Sequence, residues 1–186
     1  MEIKVYQTLT DRGNPDQIEN DGPFACNKQN AWLGQGYYFW EYFIKNAHWW
    51  GEEFLKTDYV ICQATYIRDE KCLDLVDNQK HLEFFQEIIE IMKEQGLYKA
   101  GETTMARIIE HLRRIKKFPF DATRINGNGS RSPQSKYHQS IIFTPNHHAS
   151  LDLCPPIQIC FYSKNALHLS DYKIVYPEEY IAGYGV

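Results

Sequence analysis

Gly34 and Gly36 stand two apart and open a dense aromatic run: Tyr37, Tyr38, Phe39, Trp40, Tyr42 and Phe43, then Trp49 and Trp50. Glycines let a backbone or a ligand come close, and aromatic rings offer flat faces for stacking. The spacing predicts a glycine turn that feeds a short strand and then a helix, which together wall a cleft. Strand alternation puts Tyr38 on the face opposite Tyr37 and Phe39. Trp49 then falls on the helix face opposite Phe43. A flat heteroaromatic ring could stack there, with the Tyr38 hydroxyl or the Trp49 indole N–H reaching a polar group. Tyr37, Trp40, Phe43 and Trp50 read as core.

A second cluster is electrostatic. No acidic residue occurs between Asp121 and Asp152, whereas Arg124, Arg131, Lys136, His138, His147 and His148 all lie there. Glycine-rich backbone at Gly127 and Gly129 beside arginines suits a phosphate or pyrophosphate. Gly127-Asn128-Gly129 is no dinucleotide fingerprint, because it follows no clear strand and Pro133 discourages the helix that should open there. Cys154, Cys160, His138, His147 and His148 match no zinc spacing, so no metal site is expected. No Gly-x-Ser-x-Gly elbow is present.

The elements that must position these residues follow from a chain of 186 residues, 43% apolar and 15% aromatic, with a net charge of −4. That is a globular composition of one domain over 1–186. A negative balance argues against bulk electrostatic binding to nucleic acid or anionic membrane. No apolar run reaches the length that spans a bilayer. The start, MEIKVYQTL, lacks the basic-then-apolar pattern of a signal peptide. Five unevenly spaced cysteines fit reduced thiols, and the expected location is cytoplasmic.

Ile3–Leu9 reads as a strand, with Ile3, Val5 and Gln7 on one face. Thr10–Asn30 is turn chemistry around a single helical turn at Asp16–Glu19. Ile44–Leu55 reads as helix, Tyr59–Arg68 as a long strand with Val60, Cys62, Ala64 and Tyr66 inward, and Cys72–Val76 as its short partner. A helical hairpin occupies about 78–117. Its first helix is capped by Asp77 or Asn78 and ends at Gly96; its second runs from Thr103 or Thr104 to Lys117 with Met105, Ile108, Ile109, Leu112 and Ile115 inward. Phe120–Gln139 has no periodicity and reads as a loop. Ser140–Thr144, Ile157–Tyr162 and Tyr172–Tyr176 read as strands, Asn165–Leu169 as a turn of helix, and Pro177–Val186 as a tail.

The segment Gly34-Gln35-Gly36-Tyr37-Tyr38-Phe39 followed by Lys45-Asn46-Ala47-His48-Trp49 resembles the Gly-x-Gly-x-Tyr-Phe…Ser-Ala-x-Tyr segment of ADP-ribosyltransferases of the poly(ADP-ribose) polymerase and diphtheria-toxin type. Val5-Tyr6-Gln7-Thr8 is similar to the family's first strand. Ile157-Gln158-Ile159-Cys160-Phe161 is similar to the strand that carries its glutamate. Leu73-Asp74-Leu75 and Gln158-Ile159-Cys160-Phe161…Ala166-Leu167 resemble segments of a group of uncharacterised bacterial, toxin-like domains of that superfamily.

The resemblance implies an α+β fold, a split mixed β-sheet of the ADP-ribosyltransferase type, here with the helical hairpin inserted. It implies NAD, as substrate, bound between the halves. Gln7 would take the place of the family histidine that holds the adenosine ribose, with Thr8 beside it. Tyr38 and Trp49 would sandwich the nicotinamide, next to Phe39. The Gly34–Gly36 backbone would bind its amide; Arg131, from the cationic cluster, is the candidate for the phosphates. Tyr38 and Gln158 would be the catalytic positions, but a neutral amide at Gln158 supplies no charge to an oxocarbenium-like state. The implied activity is transfer of one ADP-ribose to a protein or nucleic-acid acceptor, or NAD hydrolysis. The alternative is a non-catalytic nucleotide-binding or protein-interaction module on the same fold.

Overall fold

The computed structural model describes residues 2–181. Seven strands form one mixed sheet: β1 (Glu2–Thr10), β2 (Tyr37–Glu41), β3 (Tyr59–Ile67), β4 (Cys72–Asp74), β5 (Ala122–Asn126), β8 (Ile157–Phe161) and β9 (Leu169–Tyr176). Their order is β4-β5-β8-β2-β1-β3-β9, with β4 and β5 parallel and every other neighbour antiparallel. The two strands between β5 and β8, β6 (Ser140–Ile142) and β7 (Ser150–Asp152), form a separate hairpin.

Four α-helices complete the α+β fold: α1 (Pro15–Asp21), α2 (Ile44–Trp49), α3 (Gln79–Glu94) and α4 (Met105–Arg114). A π-helical turn, Trp50–Leu55, continues α2. Val5, Phe39, Ala64, Tyr66, Ile159 and Phe161 are buried together on one face of the sheet. On the other, Leu73, Phe85, Met92, Ile108, Ile109 and Leu112 pack beneath α3 and α4. Tyr6, Trp40, Trp49, Tyr59 and Ile61 pack around α2 and the π-turn. Helices α2, α3 and α4 thus cover one face of the sheet, and the side chains of the other face bury one another.

The local signals explain most boundaries. The Asn78 side chain accepts from the N–H groups of Lys80 and His81 and caps α3. Gly96 follows α3 with φ +69°, and Leu97 N–H returns to Met92 O at 2.8 Å, a left-handed close that glycine permits. Thr104 caps α4 through Arg107 N–H. That helix ends at Arg114 rather than Lys117, because Lys116 turns left-handed at φ +56° and Lys117 N–H bonds back to Leu112 O. Ile115, expected inward, is 47% exposed as a result.

The segment expected to be an aperiodic loop, Phe120–Gln139, contains β5 in the middle of one half of the sheet. The strand's two innermost polar residues are matched, while Asn126 Oδ1 at its end is buried without a partner among the described residues: the Thr123 hydroxyl lies 2.8 Å from Tyr162 Oη, and Arg124 is ion-paired with Glu41, Asp74 and Asp77. Such partners let polar residues occupy a buried strand. The tail expected over 177–186 begins with a 3₁₀ turn at Glu178–Tyr180, and 182–186 lie outside the described residues.

Candidate functional site

β1 pairs with β3 along its whole length, from Glu2↔Ile67 to Thr10↔Tyr59. With β2 it shares only Val5↔Glu41 and Tyr6↔Trp40 before the strands separate. A cavity of about 460 Å³ opens there. Gln7–Thr10 of β1 form one wall, and Tyr38 and Trp40 of β2 another. Trp50 and Leu55 of the π-turn, the Phe24–Lys28 loop and Gln158 of β8 close it. Its size falls in the range of small-ligand pockets. π-turns are rare and recur at functional sites, since the widened turn redirects side chains.

Gln158 brings an uncommitted amide to this cavity, and Asn14, which also lines it, holds a buried Oδ1 without a hydrogen-bond partner among the described residues. Gln158 faces Trp40 across β2 and Ile125 across β5 in register, and is only 6% exposed. Among the described residues its side-chain amide makes no hydrogen bond within the protein, while the residue lines the cavity. The amide is not sealed off as Asn14 Oδ1 is; it faces the open space of the cavity, free to hydrogen-bond there. Thr8 also lines the cavity, with its hydroxyl donating to Ala47 O at 2.9 Å. The exposed side chains of Arg12 and Lys28 stand at the rim, and neither joins an ion pair among the described residues. The lining contains no aspartate or glutamate.

The structure brings four of the expected residues, Gln7, Thr8, Tyr38 and Gln158, around one space. Two of these four have their polar groups fully engaged. Gln7 Nε2 donates to Phe24 O at 2.8 Å and Tyr38 O at 3.4 Å, while Oε1 accepts from Phe24 N–H and the Tyr172 hydroxyl. That amide ties β1 to the 24–28 loop and cannot also hold a ribose. The Tyr38 hydroxyl donates to Gly34 O at 2.6 Å and accepts from Leu33 N–H at 2.9 Å. Burial, with the neighbouring Cys160 thiol adding to it, pushes the Tyr38 phenol far up, so it keeps its proton and cannot act as a base.

The other expected residues do not reach the cavity. Trp49 is completely buried among Trp40, Trp50 and Phe54, and its indole N–H donates to Glu53 at 3.0 Å. The expected sandwich of Tyr38 and Trp49 therefore does not form. Phe39 is 1% exposed and packs edge-on against Phe161 on the opposite face of the sheet. Gly36 bridges Cys26 through both its N–H and its C=O, and Gly34 lines a different, larger hollow of about 880 Å³ between the 28–35 loop and α4. That hollow has Arg107, Arg113, Glu102 and Glu110 on its walls, all exposed and solvated.

Arg131 is no phosphate ligand either. Its guanidinium, 2% exposed, donates to Asn46 Oδ1, Tyr137 O, Asp152 and Cys154 O. With Asn46, whose amide also donates to Pro155 O, it pins the 127–139 segment to α2 and β7. The expected cationic patch is neutralised in the same way at Arg124, and at Lys136 by Glu52.

Trp40 is core as expected and Trp50 packs against the same cluster, and both also border the cavity. The alternation that put Tyr38 on the open face of β2 puts Trp40 there too, so the signal was present. Arg12, Lys28 and the Phe24–Lys28 loop lie in a turn-rich stretch whose sequence carries no such signal.

Among the described residues all five cysteines are free, and no three or more His, Cys, Asp or Glu side chains are grouped to hold a metal. None of the described helices is long and apolar enough to cross a membrane. Comparison with family models, curated proteins and solved structures gave no match to the chain.

Proposed function

We propose that the protein binds a nucleotide of the NAD class in the cavity between the diverging strands β1 and β2. The observation that carries this reading is the Gln158 amide, which faces the cavity without a hydrogen-bond partner among the described residues. Three features support it. Indole rings of Trp40 and Trp50 border the space and suit a flat heteroaromatic group. Arg12 and Lys28 at the rim suit phosphate oxygens. The separation of β1 from β2 agrees with the split sheet that the resemblance to ADP-ribosyltransferases implies.

Binding without turnover fits the lining better than transfer does. Loss of nicotinamide leaves positive charge on the ribose, and stabilising it calls for a carboxylate. Among the described residues no carboxylate lines the cavity, Gln158 is neutral and Tyr38 stays protonated. The second reading is transfer of one ADP-ribose, or NAD hydrolysis. One observation favours it: Gln158 alone presents a free polar side chain from β8, the strand that the resemblance assigns to the catalytic glutamate.

Thermal unfolding with NAD and with ADP-ribose, beside an assay of nicotinamide release, tests both readings. The binding reading predicts protection without release, about 2.7 kcal/mol at a ligand concentration 100 times Kd. Release by the native protein would establish the second reading. No protection by millimolar NAD or ADP-ribose would remove both.

A further inference from the structure

The two glycines of the turn have their backbone groups engaged, which leaves only those of Gln35 between them without a partner among the described residues. Gly34 N–H donates to Ala31 O at 3.1 Å, and its carbonyl accepts from the Tyr38 hydroxyl. Gly36 N–H donates to Cys26 O at 3.2 Å, and its carbonyl accepts from Cys26 N–H at 2.7 Å. The turn cannot loosen cheaply, since a Cβ at Gly36 would already lie 2.5 Å from both Cys160 Sγ and Phe161 O. A ligand amide therefore finds no free partner on either glycine.

Gln158, unlike the turn, stands at the wall of the cavity itself. Its amide presents two N–H donors beside a carbonyl acceptor on a rigid inner strand. Strand pairing on both sides, to β2 and to β5, fixes the height at which the amide meets the cavity. Trp40, its cross-strand neighbour, and Trp50 give that end of the cavity its flat apolar borders.

Resting on the reading that the cavity takes an NAD-class nucleotide, we infer that Gln158 selects the ligand's planar head group. Its amide pairs, donor to acceptor and acceptor to donor, with a group that shows a donor beside an acceptor. The carboxamide of nicotinamide and the amino edge of adenine both do so. A head that carries acceptors alone leaves the Gln158 carbonyl facing a second acceptor, and a site built to hydrogen-bond a donor rejects such an analogue strongly.

The test measures the affinities of NAD, nicotinic acid adenine dinucleotide, ADP-ribose and AMP by calorimetry. It uses the native protein, Gln158→Leu, and the near-isosteric Gln158→Glu, which removes the donors and keeps the shape. If the carboxamide is read, the native protein prefers NAD over the acid dinucleotide at least tenfold. Gln158→Leu then erases that preference, while ADP-ribose changes less than twofold. If the adenine edge is read, both variants weaken AMP and ADP-ribose at least tenfold, and the two dinucleotides remain equal. Either pattern supports the inference and names the source. Ligands that bind the native protein and both variants within twofold of one another would overturn the inference and leave the cavity reading standing. Failure of all four to bind the native protein would overturn the cavity reading and this inference with it.

Discussion

Two buried glutamines border one cavity, and their surroundings give them opposite roles. Gln7 makes four hydrogen bonds, to Phe24 N–H and O, Tyr38 O and the Tyr172 hydroxyl. Its removal strands those groups, and unsatisfied buried groups cost about 1–3 kcal/mol each. Gln7→Ala is therefore expected to lower stability by about 3 kcal/mol, read from urea unfolding. Gln158 makes no such bonds among the described residues, so an apolar replacement strands no partner within the fold. Gln158→Leu is expected to leave the free protein as stable as before, or more stable by about 1 kcal/mol, while losing ligand protection. Equal losses in both variants would mean that Gln158 is bonded within the fold. Both positions were legible as polar residues on strands beside an aromatic turn. Which of the two amides is free depends on Phe24 and Tyr172, 17 and 165 residues from Gln7, and no local pattern reports such partners.

The elements were legible wherever one face is apolar and the ends are capped. Asn78, Gly96 and Thr104 set the helical hairpin at the places their chemistry suggests. Strand β5 escaped detection because Thr123 and Arg124 look like loop residues until Tyr162, Glu41, Asp74 and Asp77 arrive from other elements. Arg131 misled for the same reason: a cation in a glycine-rich segment suggests a phosphate, yet Asn46 and Asp152 already surround it. The glycine turn illustrates how a motif can keep its residues while its groups are engaged elsewhere. Gly36 lets the Cys26 bridge and strand β8 approach together. Gly36→Ala is expected to cost about 1–3 kcal/mol by overpacking against Cys160 and Phe161, seen as a lower unfolding midpoint. Gly96→Ala at the end of α3, where φ is +69° and no atom lies within 4 Å of the added Cβ, is expected to cost less, about 1–2 kcal/mol of backbone strain.

At the scale of the whole molecule, buried titratable groups set a window of stability. Burial holds the His48 imidazole below its usual value, against the pull of Glu52 and with the help of Lys136; its Nδ1 lies 2.9 Å from Tyr59 Oη. Burial would raise the Asp74 carboxyl, but the N–H groups of Val76 and Asp77 and the Arg124 guanidinium outweigh it and hold the carboxyl below the usual range. Both folded-state values are depressed, so the unfolded chain binds protons first as pH falls. Stability is then lost below about pH 6.5 through His48 and again below about pH 4 through Asp74. Burial pushes the Cys62 thiol up to about 11 and those of Cys72 and Cys160 up to about 12. These values are raised, so their contribution is intact below about pH 8.5 and is lost as pH climbs through the folded values. Urea midpoints measured from pH 4 to 10 should form a plateau near pH 7–8 that falls on both sides. Cys62→Ala should soften the alkaline fall, and an unchanged alkaline limb would contradict the assignment.

The central claim is that a nucleotide of the NAD class enters the cavity between β1 and β2 and meets Gln158. Its most direct test follows the side-chain amide of Gln158 and the indole N–H groups of Trp40 and Trp50 by nitrogen-15 correlation spectroscopy during titration with NAD. Each signal is assigned by its loss in Gln158→Leu, Trp40→Phe and Trp50→Phe. The account predicts saturable shifts of the Gln158 amide and of at least one indole with a single dissociation constant, and loss of that response in Gln158→Leu. Saturation of the protein with NAD while all three signals stay still would contradict it.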